Sequence, residues 1–528
     1  MNKLLSLHMP KIEIKRIAAA VISGLMLTAA FPNLELSWLA WCALVPLFLA
    51  VSGNSAGTGF RLGFNTGLVH YLTLTYWLAH TMTTYGGLPW VLAVPILFLL
   101  AACLALFPAA FAWIIAISKP TAFFSLILIP SAWAGLEYVR SFLFSGFPWE
   151  ILGYSQYRLL PLIQIADILG PYGVSFLIIG VNTGLALIII CIGRRKWFGR
   201  PVSRRLIFAS TITLVIAMVA VVMYGKGRIQ FIDAELKNAP RRTVAAIQGN
   251  IPQDVKWDPQ FQQSTTLKYI QLSGTFKSTK TDLIVWPESA TPFYLYDNPF
   301  LTRMVTARIN DIGTDFLIGS PSALRREGKI IYYNSAYLID KFGRPGERYD
   351  KAHLVPFGEY VPFKRYLPFL GKMVAQVRDF EAGPTGKTLK WGDQRIGVLI
   401  CYELIFPELA RGQVKNGASL LVNITNDAWY GRTSAPYQHF SMAIFRAVEN
   451  KRALVRAANT GITGFIEPVG RIQKTTGLFK EAAIRQPVHL INLETIYTRV
   501  GDLFAKACLV TAAILSLCFF ILRKRRGL

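Results

Sequence analysis

Three side chains in the 528-residue chain stand where a protein does chemistry. Cys401 closes the apolar run Arg395-Ile-Gly-Val-Leu-Ile-Cys401 and opens Tyr402-Glu403-Leu-Ile-Phe-Pro-Glu408. The first half reads as a buried strand bounded by Gly392-Asp393; the second reads as a helix from Glu403 to a stop at Asn416-Gly417. A thiol at such a strand-to-helix turn is presented at a sheet edge, with backbone N–H groups aimed at what it attacks. Glu288 ends a similar run, Leu283-Ile-Val-Trp-Pro-Glu288, where a carboxylate can act as general base for a thiol. Lys351 lies in Tyr349-Asp-Lys351-Ala-His353-Leu-Val-Pro-Phe-Gly-Glu359-Tyr-Val-Pro362, and its ammonium can lower a thiol pKa and stabilise a tetrahedral oxyanion. Leu421-Val-Asn-Ile-Thr-Asn426-Asp-Ala-Trp429 is one more strand ending in polar groups. Each stretch alone has a plainer reading, since free cysteines are mostly small buried hydrophobes and loop glutamates are mostly solvated. The shared pattern of apolar strand, functional side chain, then Pro or Gly makes them converge on one nucleophilic site.

The elements that must position these groups lie within residues 225–500, a length that buries its own core. Candidate strands are 243–248, 283–286, 316–319, 331–339, 396–401, 420–424, 453–458 and 463–467. Helical patterns fall between several of them, notably 298–311, 403–415 and 438–451. Alternation of this kind predicts a layered α/β domain.

The rest of the chain is not that of a soluble protein. Hydrophobic residues make up 53% and charged residues only 16%, against about 25% charged in an average domain. The mean hydropathy is +0.38. Apolar runs near 17–31, 36–52, 62–80, 88–117, 121–139, 168–192, 205–224 and 505–522 predict about eight membrane spans, some short or broken by Pro and Gly. The first is read as a membrane helix rather than a signal peptide, although Leu27-Thr-Ala-Ala30 resembles a cleavage site. The expected division is a membrane domain over 1–224, a catalytic domain over 225–500, and a last membrane helix with a basic tail over 501–528.

The net charge of +26 does not imply nucleic acid, because its dense clusters flank the apolar runs. Arg194, Arg195, Lys196, Arg200, Arg204 and Arg205 crowd one loop, and Arg523-Lys-Arg-Arg526 ends the chain. With eight spans these clusters share one side with the basic N-terminus. The positive-inside rule makes that side the cytoplasm and puts residues 225–500 in the periplasm of a bacterium. Of six cysteines, Cys42, Cys103, Cys191, Cys508 and Cys518 lie in or beside apolar runs, so Cys401 has no disulfide partner in the catalytic region. The scattered histidines show no metal-ligand spacing, and neither metal nor cofactor is expected. In the membrane half, Ser145-Gly-Phe-Pro-Trp149-Glu150 reads either as an interfacial aromatic belt or as a seat for a lipid chain. Glu137 and Arg140, three apart on a helix, can pair with each other or meet a headgroup.

Glu288, Lys351 and Cys401, in this order and these contexts, resemble the nitrilase superfamily of carbon–nitrogen hydrolases. With membrane spans on both sides of the domain, essentially the full chain resembles the apolipoprotein N-acyltransferase family. Gly249-Asn-Ile-Pro-Gln253 with Lys256-Trp257, Trp286-Pro-Glu288, the Asp350–Pro362 stretch, Cys401-Tyr-Glu403 and Gly146-Phe-Pro-Trp149 carry the resemblance. It implies a four-layer α-β-β-α sandwich with Glu288 as base, Lys351 at the oxyanion and Cys401 as nucleophile. The implied reaction moves an acyl chain from phosphatidylethanolamine through a Cys401 thioester to the amine of a diacylglyceryl-cysteine at a lipoprotein N-terminus. Glu359, Tyr402, Glu403, Trp257, Asn426 and Trp149 take supporting or substrate-binding roles, in a monomeric enzyme of the bacterial inner membrane. The aromatic, basic segment 360–370 is expected to form an interfacial arm that grips lipid or closes the site.

Two other readings compete. A membrane-anchored amidase would use the same three groups with water as second nucleophile, but an anchor needs one span rather than about eight. A transporter or scaffold would need ionisable residues along its spans, and few interrupt these runs.

Overall fold

Residues 13–361 and 380–525 are described by the computed structural model of the chain. Among them, five helices are long and apolar enough to cross a membrane: Trp90–Ser118, Ala122–Phe142, Pro171–Ile192, Arg204–Asn238 and Leu503–Arg523. Helices Ile14–Ala29 and Ala56–Leu74 join them. The latter presents Gly59, Gly63 and Gly67, one per turn, to Trp90–Ser118. A Cβ on Gly63 would lie 2.2 Å from the Pro108 carbonyl oxygen, so these helices pack backbone to backbone on a seam of small residues.

Two of the expected spans are broken. The run 36–52 becomes a 3-10 turn, Ser37–Trp41, and a short helix, Val45–Val51, that starts at a proline. The buried Asn182 amide covers the break: it donates to the Ala40 carbonyl at 2.8 Å and accepts from the Leu44 N–H at 2.8 Å. The run 62–80 splits into Ala56–Leu74 and Trp77–Thr84. The run 205–224 is instead longer than expected, because its helix continues to Asn238 and feeds the first strand of the catalytic unit.

That unit holds two six-stranded sheets. In chain order the strands are β1 (Arg241–Gln248), β2 (Leu283–Val285), β3 (Asp315–Arg326), β4 (Lys329–Ile339), β5 (Pro345–Asp350), β6 (Thr388–Trp391), β7 (Gln394–Ile400), β8 (Leu420–Thr425), β9 (Ala453–Ala458), β10 (Gly464–Ile466), β11 (Ile472–Thr475) and β12 (Ala482–His489). One sheet runs β12-β1-β2-β3-β4-β5 and the other β11-β10-β9-β8-β7-β6. The central strands β1-β2-β3 and β7-β8-β9 are parallel, with antiparallel strands at the edges. Alternate residues of both sheets, such as Val244, Val285, Leu317, Val398, Val422 and Val455, fill one core between them. The opposite face of the first sheet is covered by helices Gln262–Gly274 and Pro299–Ile312. The opposite face of the second carries Pro407–Lys415 and Ala435–Asn450, which share a core with the membrane helices. The order of layers is α-β-β-α, and the last helical layer is also the contact with the membrane half.

Candidate active site

Cys401, Glu288 and Lys351 each sit just past a strand end. Cys401 follows β7 with a φ of 52°, in the left-handed region that a residue bearing a Cβ seldom occupies. The expected helix 403–415 divides here. A 3-10 turn, Cys401–Ile405, comes first, and Pro407 starts the true helix while keeping Phe406 extended. Glu288 follows β2 on a loop pressed against β3, where a Cβ on Gly319 would lie 2.3 Å from the Pro287 carbonyl oxygen. Lys351 follows β5, with its N–H donated to the Asn334 carbonyl at 2.8 Å.

Glu288, Lys351 and Glu359 share one buried network, and Cys401 feels the charges of Glu288 and Lys351. Lys351 Nζ lies 2.9 Å from Glu359 and 3.7 Å from Glu288. Asn334 Nδ2 donates to Glu288 at 2.7 Å and to Glu359 at 2.8 Å, bridging the two carboxylates. The second Glu288 oxygen accepts the main-chain N–H of Asn426 at 2.9 Å. Burial and the nearby Glu288 carboxylate push the Cys401 thiol up to about 12, while Lys351 pulls the other way. Burial also works against the Lys351 charge, but Glu359 and Glu288 outweigh it and hold the ammonium protonated. Chemically, a thiol near a carboxylate and a fixed cation can lose a proton to the one and have negative charge on an attacked carbonyl met by the other.

The remaining candidates divide by what they touch. Glu403 is fully buried and accepts from Tyr349 Oη at 2.9 Å and from the N–H groups of Ala352 at 2.6 Å, His353 at 3.0 Å and Ile400 at 2.7 Å. It ties the Lys351 loop to the Cys401 turn. Tyr402 packs against His353 and Phe406. Asn426 donates to Gln253 at 2.7 Å and accepts from Asn459 at 3.0 Å. Trp257 is 47% exposed and free to meet a substrate. Trp149 has no exposed surface, so the Gly146–Glu150 stretch is packed inside the molecule rather than spread along an interface. Of the two roles open to Glu137 and Arg140, a direct ion pair is not formed: Glu137 accepts the Leu152 N–H at 2.7 Å, and Arg140 donates to the Phe147 and Trp149 carbonyls at 3.0 and 2.9 Å. The segment 360–370 lies, beyond Val361, outside the described residues.

Known proteins place this site in a family. The model of the apolipoprotein N-acyltransferase N-terminal domain matches residues 23–184, and that of the carbon-nitrogen hydrolases matches 243–494. An apolipoprotein N-acyltransferase from Geobacter metallireducens is 46% identical over 95% of this chain and 94% of its own. The chain belongs to the apolipoprotein N-acyltransferase family. A second member of the family, from Methylococcus capsulatus, is 33% identical over 97% of both chains. An amidase from Nesterenkonia sp. is 18% identical, over 49% of this chain and 92% of its own, at a TM-score of 0.36.

In this member of the apolipoprotein N-acyltransferases the two matched regions meet on helix Ala435–Asn450, at residues the sequence reading did not single out. His439 Nε2 donates to the Cys401 carbonyl at 3.1 Å. Its Nδ1 faces both Arg456 Nη2 at 3.1 Å and Asp427 Oδ1 at 3.2 Å. Burial and the Arg456 charge lower the pKa of this ring against the pull of Asp427, and Arg456 holds Asp427 ionised against its own burial. One residue earlier, Gln438 accepts from Trp149 Nε1 at 2.8 Å and donates to the carbonyls of Pro32 at 3.1 Å and Leu74 at 3.3 Å. The Trp149 ring lies over His439, 5.8 Å between centroids. Nothing local marks Asn334 or His439, since each is one of several polar residues in its element and its partners are distant in sequence.

Proposed function

We propose that this chain transfers a fatty acyl group from a phospholipid, phosphatidylethanolamine above all, to the N-terminal amine of the S-diacylglyceryl-cysteine of apolipoproteins, completing their maturation. Glu288 takes the Cys401 proton as the sulfur attacks an ester carbonyl of the lipid. Lys351 faces the oxyanion. The bond to the glycerol oxygen breaks, that oxygen recovers the proton from Glu288, and lysophospholipid leaves a thioester on Cys401. The acceptor amine then attacks the thioester and gives its proton to Glu288, which returns it to the departing sulfur. Glu359 fixes Lys351, Glu403 and Asn426 fix the turns that carry the triad, Tyr402 flanks the nucleophile, and Trp257 meets substrate. A thiol held near 12 stays unreactive until a bound ester and the base act on it together.

The observation that carries this reading is the double engagement of helix Ala435–Asn450. It holds the carbonyl of the nucleophile through His439, and through Gln438 it holds Trp149, Pro32 and Leu74 of the membrane half. A simple anchor has no reason to be bonded one residue away from the nucleophile's own support, whereas an enzyme with two lipid substrates must open its site toward the bilayer. The five long apolar helices, with the shorter and broken ones beside them, support a membrane domain of about eight crossings over 1–224 and 501–528. The basic clusters support a bacterial inner-membrane enzyme with residues 225–500 in the periplasm. A monomer suffices, and side chains alone complete the chemistry.

The test is a reconstituted reaction with phosphatidylethanolamine and a synthetic diacylated lipopeptide. The expected products are triacylated lipopeptide and lysophospholipid in equal amounts, both lost in Cys401→Ala. Turnover of a small amide with release of ammonia, and no lipopeptide acylation, would favour the amidase.

A further inference from the structure

Lys256 is a buried cation to which the acyl-transfer scheme gives no task. It is 1% exposed, and its Nζ donates to the main-chain carbonyl of Glu288 at 3.0 Å. The loop that carries it is fastened to the ends of β8 and β9. Asn250 and Ile251 give their N–H groups to the carbonyl and side-chain oxygens of Asn459, both at 2.9 Å, and Gln253 accepts from Asn426 at 2.7 Å. Asn426 is also the residue whose main-chain N–H holds the Glu288 carboxylate. Glu288 is thus gripped at both ends, its carboxylate by Asn426 and Asn334 and its main chain by Lys256.

Stability alone does not ask for an ammonium here, because a buried cation loses its hydration and an apolar side chain of equal length would fill the space. Burial draws Lys256 down to about 8, and the charges of Glu288 and Cys401 hold it up against that pull. Cys401 also faces Glu288, Lys351, Asp427 and the Thr425 hydroxyl.

We propose that Lys256 is a positioning residue for the general base: its ammonium fixes the Glu288 main chain while Asn426 and Asn334 hold the carboxylate. The neighbouring Trp257 is exposed on the same loop, so the grip on the base belongs to the segment that meets substrate. This role rests on the acyl-transfer reading above for the step it affects.

The test uses the full-length protein in detergent with phosphatidylethanolamine, comparing wild type with Lys256→Met and Lys256→Arg. Acyl-enzyme formation is followed by intact mass, and the thiol by the rate of iodoacetamide labelling of the Cys401 peptide. Lys256→Met should form acyl-enzyme about tenfold more slowly or worse at saturating lipid, with the half-saturating lipid concentration unchanged. It should label Cys401 faster at fixed pH while melting within a few degrees of wild type, because the Glu288 anion that raises the thiol is less firmly held. Lys256→Arg should move both rates back toward wild type. Wild-type rates in Lys256→Met would overturn the proposal. So would slow acylation in a variant that melts many degrees lower, which makes Lys256 structural. A wild type that takes up no acyl group would strike at the acyl-transfer reading instead, and the labelling rates would still decide the role of Lys256.

Discussion

The Lys351 ammonium is paired with Glu359 at 2.9 Å. Glu288, at 3.7 Å, is the more distant carboxylate, and both its oxygens already accept other hydrogen bonds, from Asn334 and the Asn426 N–H. The site therefore separates two tasks that one carboxylate cannot perform well. Glu359 neutralises the lysine, which in the proposed mechanism leaves Glu288 to exchange a proton with Cys401. Replacing Glu359 with Gln leaves Glu288 as the nearest countercharge to Lys351 and draws the base toward it. Acylation by Glu359→Gln should fall by about 10²–10⁴, as for loss of a positioned base, in a protein whose thermal unfolding stays within a few degrees of wild type. Initial rates of lipopeptide acylation and a melting curve check both halves.

The thiol gives a pH test with a definite sign. Burial and the Glu288 charge raise Cys401 to about 12, so labelling by iodoacetamide should climb across pH 7–10 without a plateau. Glu288→Gln removes the neighbouring anion. Its labelling should be faster than wild type at every pH while its acylation is lost. Slower labelling in Glu288→Gln would mean that this carboxylate does not face the thiol.

Legibility in the sequence followed burial. The strands that lead into Glu288, Cys401 and Asn426 were readable, because each is an apolar run ended by Pro or a polar group. Strand β5, which leads into Lys351, was not read, nor were β6, β11 and β12, since they lie at or near sheet edges and carry charged residues, as in Pro345-Gly-Glu-Arg-Tyr-Asp350 and Ile472-Gln-Lys-Thr475. Helix Gln262–Gly274 was missed for the same reason, being rich in Gln, Ser and Thr. Glu288, Lys351 and Cys401 were found by their local setting. Asn334, His439 and the Lys256 contact were not, because nothing local reveals that Asn334 bridges residues 288 and 359 or that His439 reaches back to 401. The broken span at 36–52 was hidden likewise, its backbone being satisfied by Asn182 far along the chain.

Glu403 offers a stability test. Its carboxylate is the partner of four donors, three of them main-chain N–H groups. Glu403→Ala leaves those donors unpaired at about 1–3 kcal/mol each, so a loss of at least about 3 kcal/mol is expected. Glu403→Gln keeps an oxygen and should lose less. Denaturant unfolding measures the difference, and an unchanged midpoint in Glu403→Ala would contradict the clamp.

The two tryptophans should part company. Trp149 is wholly buried between Gln438 and His439, so Trp149→Ala should cost about 3–5 kcal/mol. Trp149→Phe keeps a ring over His439 and should cost only about 0.5–1.5 kcal/mol, the value of the lost hydrogen bond. Trp257 is half exposed, so Trp257→Ala should change stability by no more than about 0.5 kcal/mol and act instead by raising KM for lipid. Melting curves beside steady-state kinetics separate the two patterns.

The most direct measurement is the intact mass of the purified protein after incubation with phosphatidylethanolamine, wild type beside Cys401→Ala. An acyl mass on the wild type alone, removed by hydroxylamine and by a diacylated lipopeptide, is the expected result. A wild type that gains no acyl mass while lipopeptide is still acylated would contradict a thioester on Cys401 and, with it, the roles given to Glu288 and Lys351.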